Sequence, residues 1–278
     1  MTTFRLKDIF CLLLISVSAF LLTGCDLQNK LGFGDSHEED ITIIRYDRLE
    51  NRYLTTGDFS ALQEMSTEYP VETRTLIEDI LQIGKVTDSD INSRFLKYFQ
   101  DPLLQELISE TEGYYVDLTK LNREFNKVFA KVKKELPKVP VPTIYAQIGG
   151  LNQSIIVNNQ SIGISLDKYL GSDYHIYKKF YSETQREEMK SEFIVPDALG
   201  FYLVSLFPLP DNNYRKQIDK DLYMGKIMWA TNYLTGKKCY NTTYVRMVNN
   251  YMHKYKNITL GMLLDNNDYD EIIKTNRE

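Results

Sequence analysis

Apolar residues along most of this chain recur at helical spacing, and one stretch near the middle switches to the two-residue alternation of strands. The clearest helix runs from Asp117 to Leu136. There Leu118, Leu121, Phe125, Val128, Phe129, Val132 and Leu136 stand at offsets 0, 3, 7, 10, 11, 14 and 18, a continuous apolar stripe. Lys120, Arg123, Lys127, Lys131, Lys133 and Lys134 lie mostly off it, the pattern of a solvated face. Pro137, Pro140 and Pro142 stop the helix. Upstream, the β-branched run Ile41-Thr42-Ile43-Ile44-Arg45-Tyr46 predicts a strand. Three shorter helices follow: one capped by Ser60 and ended by Pro70, one over 71–83 with Leu76, Ile80 and Ile83 on one face, and one over 89–99.

The change of period falls after Pro142. Thr143 to Ile148, Ser154 to Val157 and Gln160 to Leu166 predict three strands, joined at Gly149-Gly150-Leu151-Asn152 and at Asn158-Asn159, residues that tolerate left-handed turns. A loop from Lys168 to Tyr181 returns the chain to helix: 196–207 with Pro196 at its tolerated start, then 214–234, then 243–255. The expected fold is α+β, mostly helical with a small antiparallel β-meander.

The N-terminus decides where such a domain would sit. Arg5 and Lys7 precede an apolar run from Ile9 to Leu22 that closes on Leu22-Thr23-Gly24-Cys25. That run is too short for a mature transmembrane helix and has the layout of a secretory signal. A small residue directly before a cysteine is what a lipoprotein signal peptidase requires, so residues 1–24 read as a lipoprotein signal peptide and Cys25 as the site of lipid attachment. Several acyl chains on one cysteine then supply the membrane affinity. Residues 25–40 carry two glycines and an acidic end and read as a flexible tether; 41–278 read as a single domain. Whether the inner or the outer membrane holds the anchor is not written in these residues.

Charge and cysteine content narrow the chemistry. The chain has a formal net charge of −5, one unit more negative once the signal with Arg5, Lys7 and Asp8 is removed, which argues against a nucleic-acid partner. With Cys11 in the signal and Cys25 lipidated, Cys239 remains alone, so no internal disulfide and no cysteine-based zinc site is expected. The histidines are His37, His175 and His253, with no H-E-x-x-H helix; there is no G-x-S-x-G elbow and no Gly-rich phosphate loop. No catalytic residue, metal or cofactor is expected. The densest polar cluster, Leu166 to His175, contains Asp167, Lys168, Tyr169, Asp173, Tyr174 and His175. It reads either as a pocket or partner-docking edge, or as a structural corner with Gly171 in the turn, aspartates capping and tyrosine hydroxyls outward.

Five segments carry a family resemblance: the Leu-Thr-Gly-Cys lipobox, Ile44-Arg45-Tyr46-Asp47, Thr67-Glu68-Tyr69-Pro70, Ile162 to Gly171 with its L-D-K-Y-L-G, and Met224-Gly225-Lys226-Ile227-Met228-Trp229. Together they resemble the gliding motility lipoprotein B (GldB-like) family of Bacteroidetes over roughly 41–234, with L-D-K-Y-L-G the most specific element. After Lys237 the tail departs from that pattern. The resemblance implies a lipid-anchored, periplasm-facing envelope protein that works with other envelope proteins in gliding motility or a linked export process, and it brings no catalytic residues. The order of elements is also similar to zinc peptidases of the zincin type, a degenerate zincin-like layout in which helix 196–207 would hold the active-site position without a histidine. A divergent metal-dependent hydrolase using His175, and a binder of a small ligand or glycan, are the alternative functions.

Overall fold

The structure, a computed structural model, describes residues 40–158 and 160–277; the signal, Cys25 and the tether as far as residue 39 lie outside them. The chain enters along the edge of the sheet. Ile44 makes a parallel bridge with Tyr145, its N–H donating to Ile144 O and its carbonyl accepting from Ala146 N. The expected strand over 41–46 is reduced to that bridge, because α1 (Tyr46–Thr56) begins at once. α2 (Phe59–Glu68) follows, capped by Asp58, whose carboxylate accepts the Ser60 N–H, so the cap falls two residues before the expected Ser60. α3 (Pro70–Arg74) runs into a π-helical turn (Thr75–Ile80) that rotates the face, burying Leu76 and Ile80 but leaving Ile83 half-buried. Then come α4 (Ile91–Tyr98), α5 (Pro102–Tyr114) and the amphipathic α6 (Thr119–Glu135), which buries Leu121, Phe125, Val128, Phe129 and Val132 as its stripe requires.

Three strands follow: β1 (Thr143–Gln147), β2 (Ile155–Asn158) and β3 (Ser161–Ser165). Their positions match the alternation, but their order does not follow a meander. β3 is central, antiparallel to β2 and parallel to β1, so the sheet is mixed. Alternation then splits the sheet between two cores. Ile144, Ala146, Ile155, Ile162 and Ile164 pack with the later helices and α6. Tyr145, Ile148 and Ile156 pack with the helices before α6. Full burial of each such aliphatic or aromatic side chain is worth about 1.5–3 kcal/mol. Gly163 is needed on the second face, because a Cβ there would lie 2.5 Å from the Tyr145 ring directly opposite in register.

After a 3-10 turn (Leu166–Lys168), short helices α7 (Tyr177–Phe180) and α8 (Glu183–Glu187) lead to α9 (Ile194–Leu206) and α10 (Gln217–Thr235). α11 (Thr243–Lys254), α12 (Leu260–Asp265) and α13 (Asp270–Thr275) complete the chain. α10 and α11 approach closely at Gly225, where a Cβ would lie 2.6 Å from Tyr244 Cβ and 2.9 Å from its carbonyl carbon. One turn of α10 is unusual. Lys226, fully buried, donates to Leu264 O at 2.9 Å and Asn266 O at 2.8 Å, capping the C-terminus of α12. Burial brings its pKa down to about 8, with Asp265 opposing.

Candidate functional site: the corner after the central strand

Asp167 leaves the end of β3 with no exposed surface. Both of its oxygens are used: Oδ1 accepts the Gly149 N–H at 2.8 Å and Oδ2 the Leu151 N–H at 2.7 Å. The loop it grips holds Gly150 at φ +60° and Leu151 at φ +65°, and for leucine that region costs of order 1–3 kcal/mol unless the surroundings enforce it. The enforcement is visible. Leu151 O accepts from Lys168 Nζ at 3.1 Å and from Tyr181 OH at 2.9 Å, so the carboxylate, the ammonium and a phenol hold the peptide units on both sides of Leu151. Burial pushes the Asp167 carboxyl up, and the two N–H donors and Lys168 pull it back.

The corner is closed by tyrosines directed inward. Tyr177 OH donates to Asp167 O at 2.5 Å and accepts the Leu170 N–H at 3.0 Å. Tyr169 OH donates to Asp197 Oδ2 at 2.8 Å, and Tyr240 OH reaches Asp197 Oδ1 at 2.6 Å. Asp197, in the first turn of α9, is raised to about 6 by burial, with the two phenols opposing the shift. Tyr115 OH donates to Tyr169 O at 2.5 Å. The expectation of outward hydroxyls therefore fails at Tyr169 and Tyr177, because each phenol has a backbone or carboxylate partner inside.

A second buried carboxyl lies on the other side of the same loop. Glu50, on α1, is fully buried and its Oε2 accepts the Ile148 N–H at 2.6 Å. Burial pushes it well above the ordinary carboxyl range, the Ile148 N–H offsets part of this, and Asp47 and Asp167 add to it. Glu50 Oε1, Gln147 Oε1 and the Tyr145 hydroxyl are buried without hydrogen-bond partners, while Gln147 Nε2 donates to Ser165 Oγ at 3.1 Å. A proton on Glu50 would turn Oε1 from an orphaned acceptor into a donor. Sequence reasoning alone does not single out this residue. Its signal was present, since Tyr46, Leu49, Glu50, Tyr53 and Leu54 are spaced as one helical face with a glutamate inside it.

Two of the other family-bearing segments, 44–47 and 67–70, meet at this seam. The Tyr46 ring is edge-on to Tyr69 (centroids 5.7 Å) and to Tyr145 (6.2 Å). Arg45 binds Asp47 through Nε (2.9 Å) and Nη2 (2.7 Å), and donates to the carbonyls of Tyr115 and Val116 just beyond α5.

The rest of the predicted cluster lies elsewhere on the surface. Asp173 is exposed, with Lys178 Nζ 3.6 Å away; Tyr174 is half-buried; His175 is exposed, its Nε2 3.1 Å from Glu106 Oε1 on α5. Lys168 belongs with the buried half through its bonds to Leu151 and Tyr181. Cys239 is half-buried and its thiol is pushed up by burial, so the thiolate is disfavoured. Among the described residues, Glu106, Glu110 and His175 are the group whose donor atoms converge closely enough to hold a metal.

These observations define a mixed-sheet α+β protein in which the segment after the central strand is a packing corner. The sequence model of the family described as gliding motility protein GldB matches residues 34–241, and the chain belongs to that family, a lipoprotein family related to gliding motility. No curated protein and no solved structure matches the chain significantly. Among the described residues no helix is long and apolar enough to cross a membrane.

Proposed function

We propose that this protein is held at the membrane by lipid on Cys25, faces the periplasm, and acts by contact with other envelope proteins of a gliding or linked export machine rather than by catalysis. The family match over 34–241 carries the reading. A second observation supports it: the L-D-K-Y-L-G carboxyl, ammonium and phenol groups are committed to holding one loop and one helix start, which leaves them unavailable as acid, base or nucleophile for a substrate. Crosslinking the lipidated protein in its native host, followed by mass spectrometry of the adducts, tests this. Recovery of motility or export components is the expected result. Recovery of lipid and abundant bystanders alone would overturn it.

A further inference from the structure

We propose that the exposed face of α6 docks on an anionic lipid surface, the headgroups of the bilayer that holds the Cys25 lipid; the inference rests on the anchoring proposed above. Lys120, Arg123, Lys127 and Lys134 stand at offsets 0, 3, 7 and 14 along this helix. They therefore form one row about 21 Å long, on the side opposite the buried Leu121, Phe125, Val128 and Val132. All four are exposed, and among the described residues none of them makes a hydrogen bond or ion pair. Ala130 lies within the row and is exposed too, so no bulky side chain interrupts it.

The charge of the row is not cancelled by its neighbours. α6 carries six basic residues and two acidic ones, in a chain whose net charge is −5. Both acids are engaged off the row: Glu124 accepts from Lys237 Nζ at 2.8 Å, and Glu135 is hydrogen-bonded to the Tyr233 hydroxyl. Lys131 is also withdrawn, since its ammonium donates to Tyr233 O and lies over the Tyr233 ring. At the N-terminal end of the row the exposed Tyr114 lines one hollow with Lys120, placing an amphipathic ring where headgroups would begin.

Lipid is favoured over other anions by the place where the chain enters the domain. The Ile41 N–H donates to Asn126 Oδ1 at 2.7 Å, and the Ile41 carbonyl accepts from Asn126 Nδ2 at 2.9 Å. The Ile43 N–H donates to Asn122 Oδ1 at 3.1 Å. The start of the domain is thus fastened to α6 itself, on the flank of the basic row. Residues 26–40 alone separate it from Cys25, at most about 54 Å of fully extended chain. An anchor so close keeps the bilayer at high effective concentration beside this helix, so a few weak contacts suffice to orient the domain. The helix α4, whose Phe95 packs in the core on the other face of the sheet, is then turned away from the bilayer.

The test uses the full lipidated chain in vesicles of phosphatidylcholine alone, or with about one-third phosphatidylglycerol. Flotation with the neutral vesicles reads the anchor by itself. A fluorophore on Ala130→Cys, with Cys239→Ser, then reports quenching by spin-labelled headgroups, and Lys97→Cys on α4 serves as the reference position. Quenching at position 130 should rise at least about twofold from neutral to anionic vesicles and fall back at about 1 M salt, while position 97 stays unchanged. Combining Lys120→Gln, Lys127→Gln and Lys134→Gln should abolish the rise and leave flotation and circular dichroism as they were, because all three side chains are exposed. Equal quenching in both kinds of vesicle would assign the row to another anionic occupant, the chain's own run from Asp35 to Asp40 included, and overturn the docking face. So would a rise that salt or the triple variant leaves intact. In either case flotation would leave the anchor standing. Failure to float with neutral vesicles would overturn the anchor, and this inference with it.

Discussion

Asp167 and His175 stand eight residues apart in one segment, yet they do opposite things. Asp167 is sealed inside, with one backbone amide on each oxygen. His175 projects into solvent beside two glutamates. The L-D-K-Y-L-G stretch holds a strained loop against the sheet, and the exposed groups follow directly after it. A motif dense in titratable residues is thus weak evidence for a catalytic centre until the partners of each group are known.

That comparison can be broken or sharpened, beginning with the largest expected effect. Asp167→Ala leaves two buried N–H groups without acceptors and releases Leu151 from its support, and should cost about 3–5 kcal/mol in urea unfolding. A loss below about 1 kcal/mol would show that the loop holds itself.

The next effect depends on pH. Asp197 is raised from 3.8 to about 6, so the folded protein binds its proton more tightly than the unfolded chain does. Its contribution is fully present below pH 3.8 and is lost as pH rises through 6, amounting to about 3 kcal/mol at most. The Asp197→Asn variant should flatten that part of the stability profile between about pH 4 and 6. An unchanged slope would place the titration elsewhere.

The smallest effect is expected at Asp173. Asp173→Ala removes only a solvent-screened contact with Lys178 and should move the unfolding midpoint by no more than about 0.5 kcal/mol. A loss comparable to that of Asp167→Ala would erase the distinction between the two halves.

Much of the architecture was legible along the chain. The α6 stripe, the three strands and the longer C-terminal helices were visible because their periodicity is local and strong. Helix α5 went unnoticed, although it opens on Pro102 and carries Leu103, Leu104, Leu107 and Ile108 at helical spacing. α12 and α13 are six residues each, too short to leave a periodic trace. Strand order was illegible for a different reason: the parallel pairing of β1 with β3 depends on where β2 is displaced, which no turn residue encodes. At the site, sequence density located Asp167 and His175 but not their partners Gly149, Leu151, Glu106 and Glu110, which lie 16 to 69 residues away. Glu50 and Lys226 each left a usable mark, a charged residue set within a buried helical face.

Lys226 also bears on which changes the tail can tolerate. The family match ends at residue 241, but this lysine inside it grips Leu264 and Asn266 beyond it, and does so through main-chain carbonyls. Contact with carbonyls is blind to side-chain identity. Substitutions can therefore accumulate in the last helices until their ancestry is unreadable, provided that a helix still ends where the ammonium waits. A tail of this kind would be inherited as a shape rather than as a string of letters.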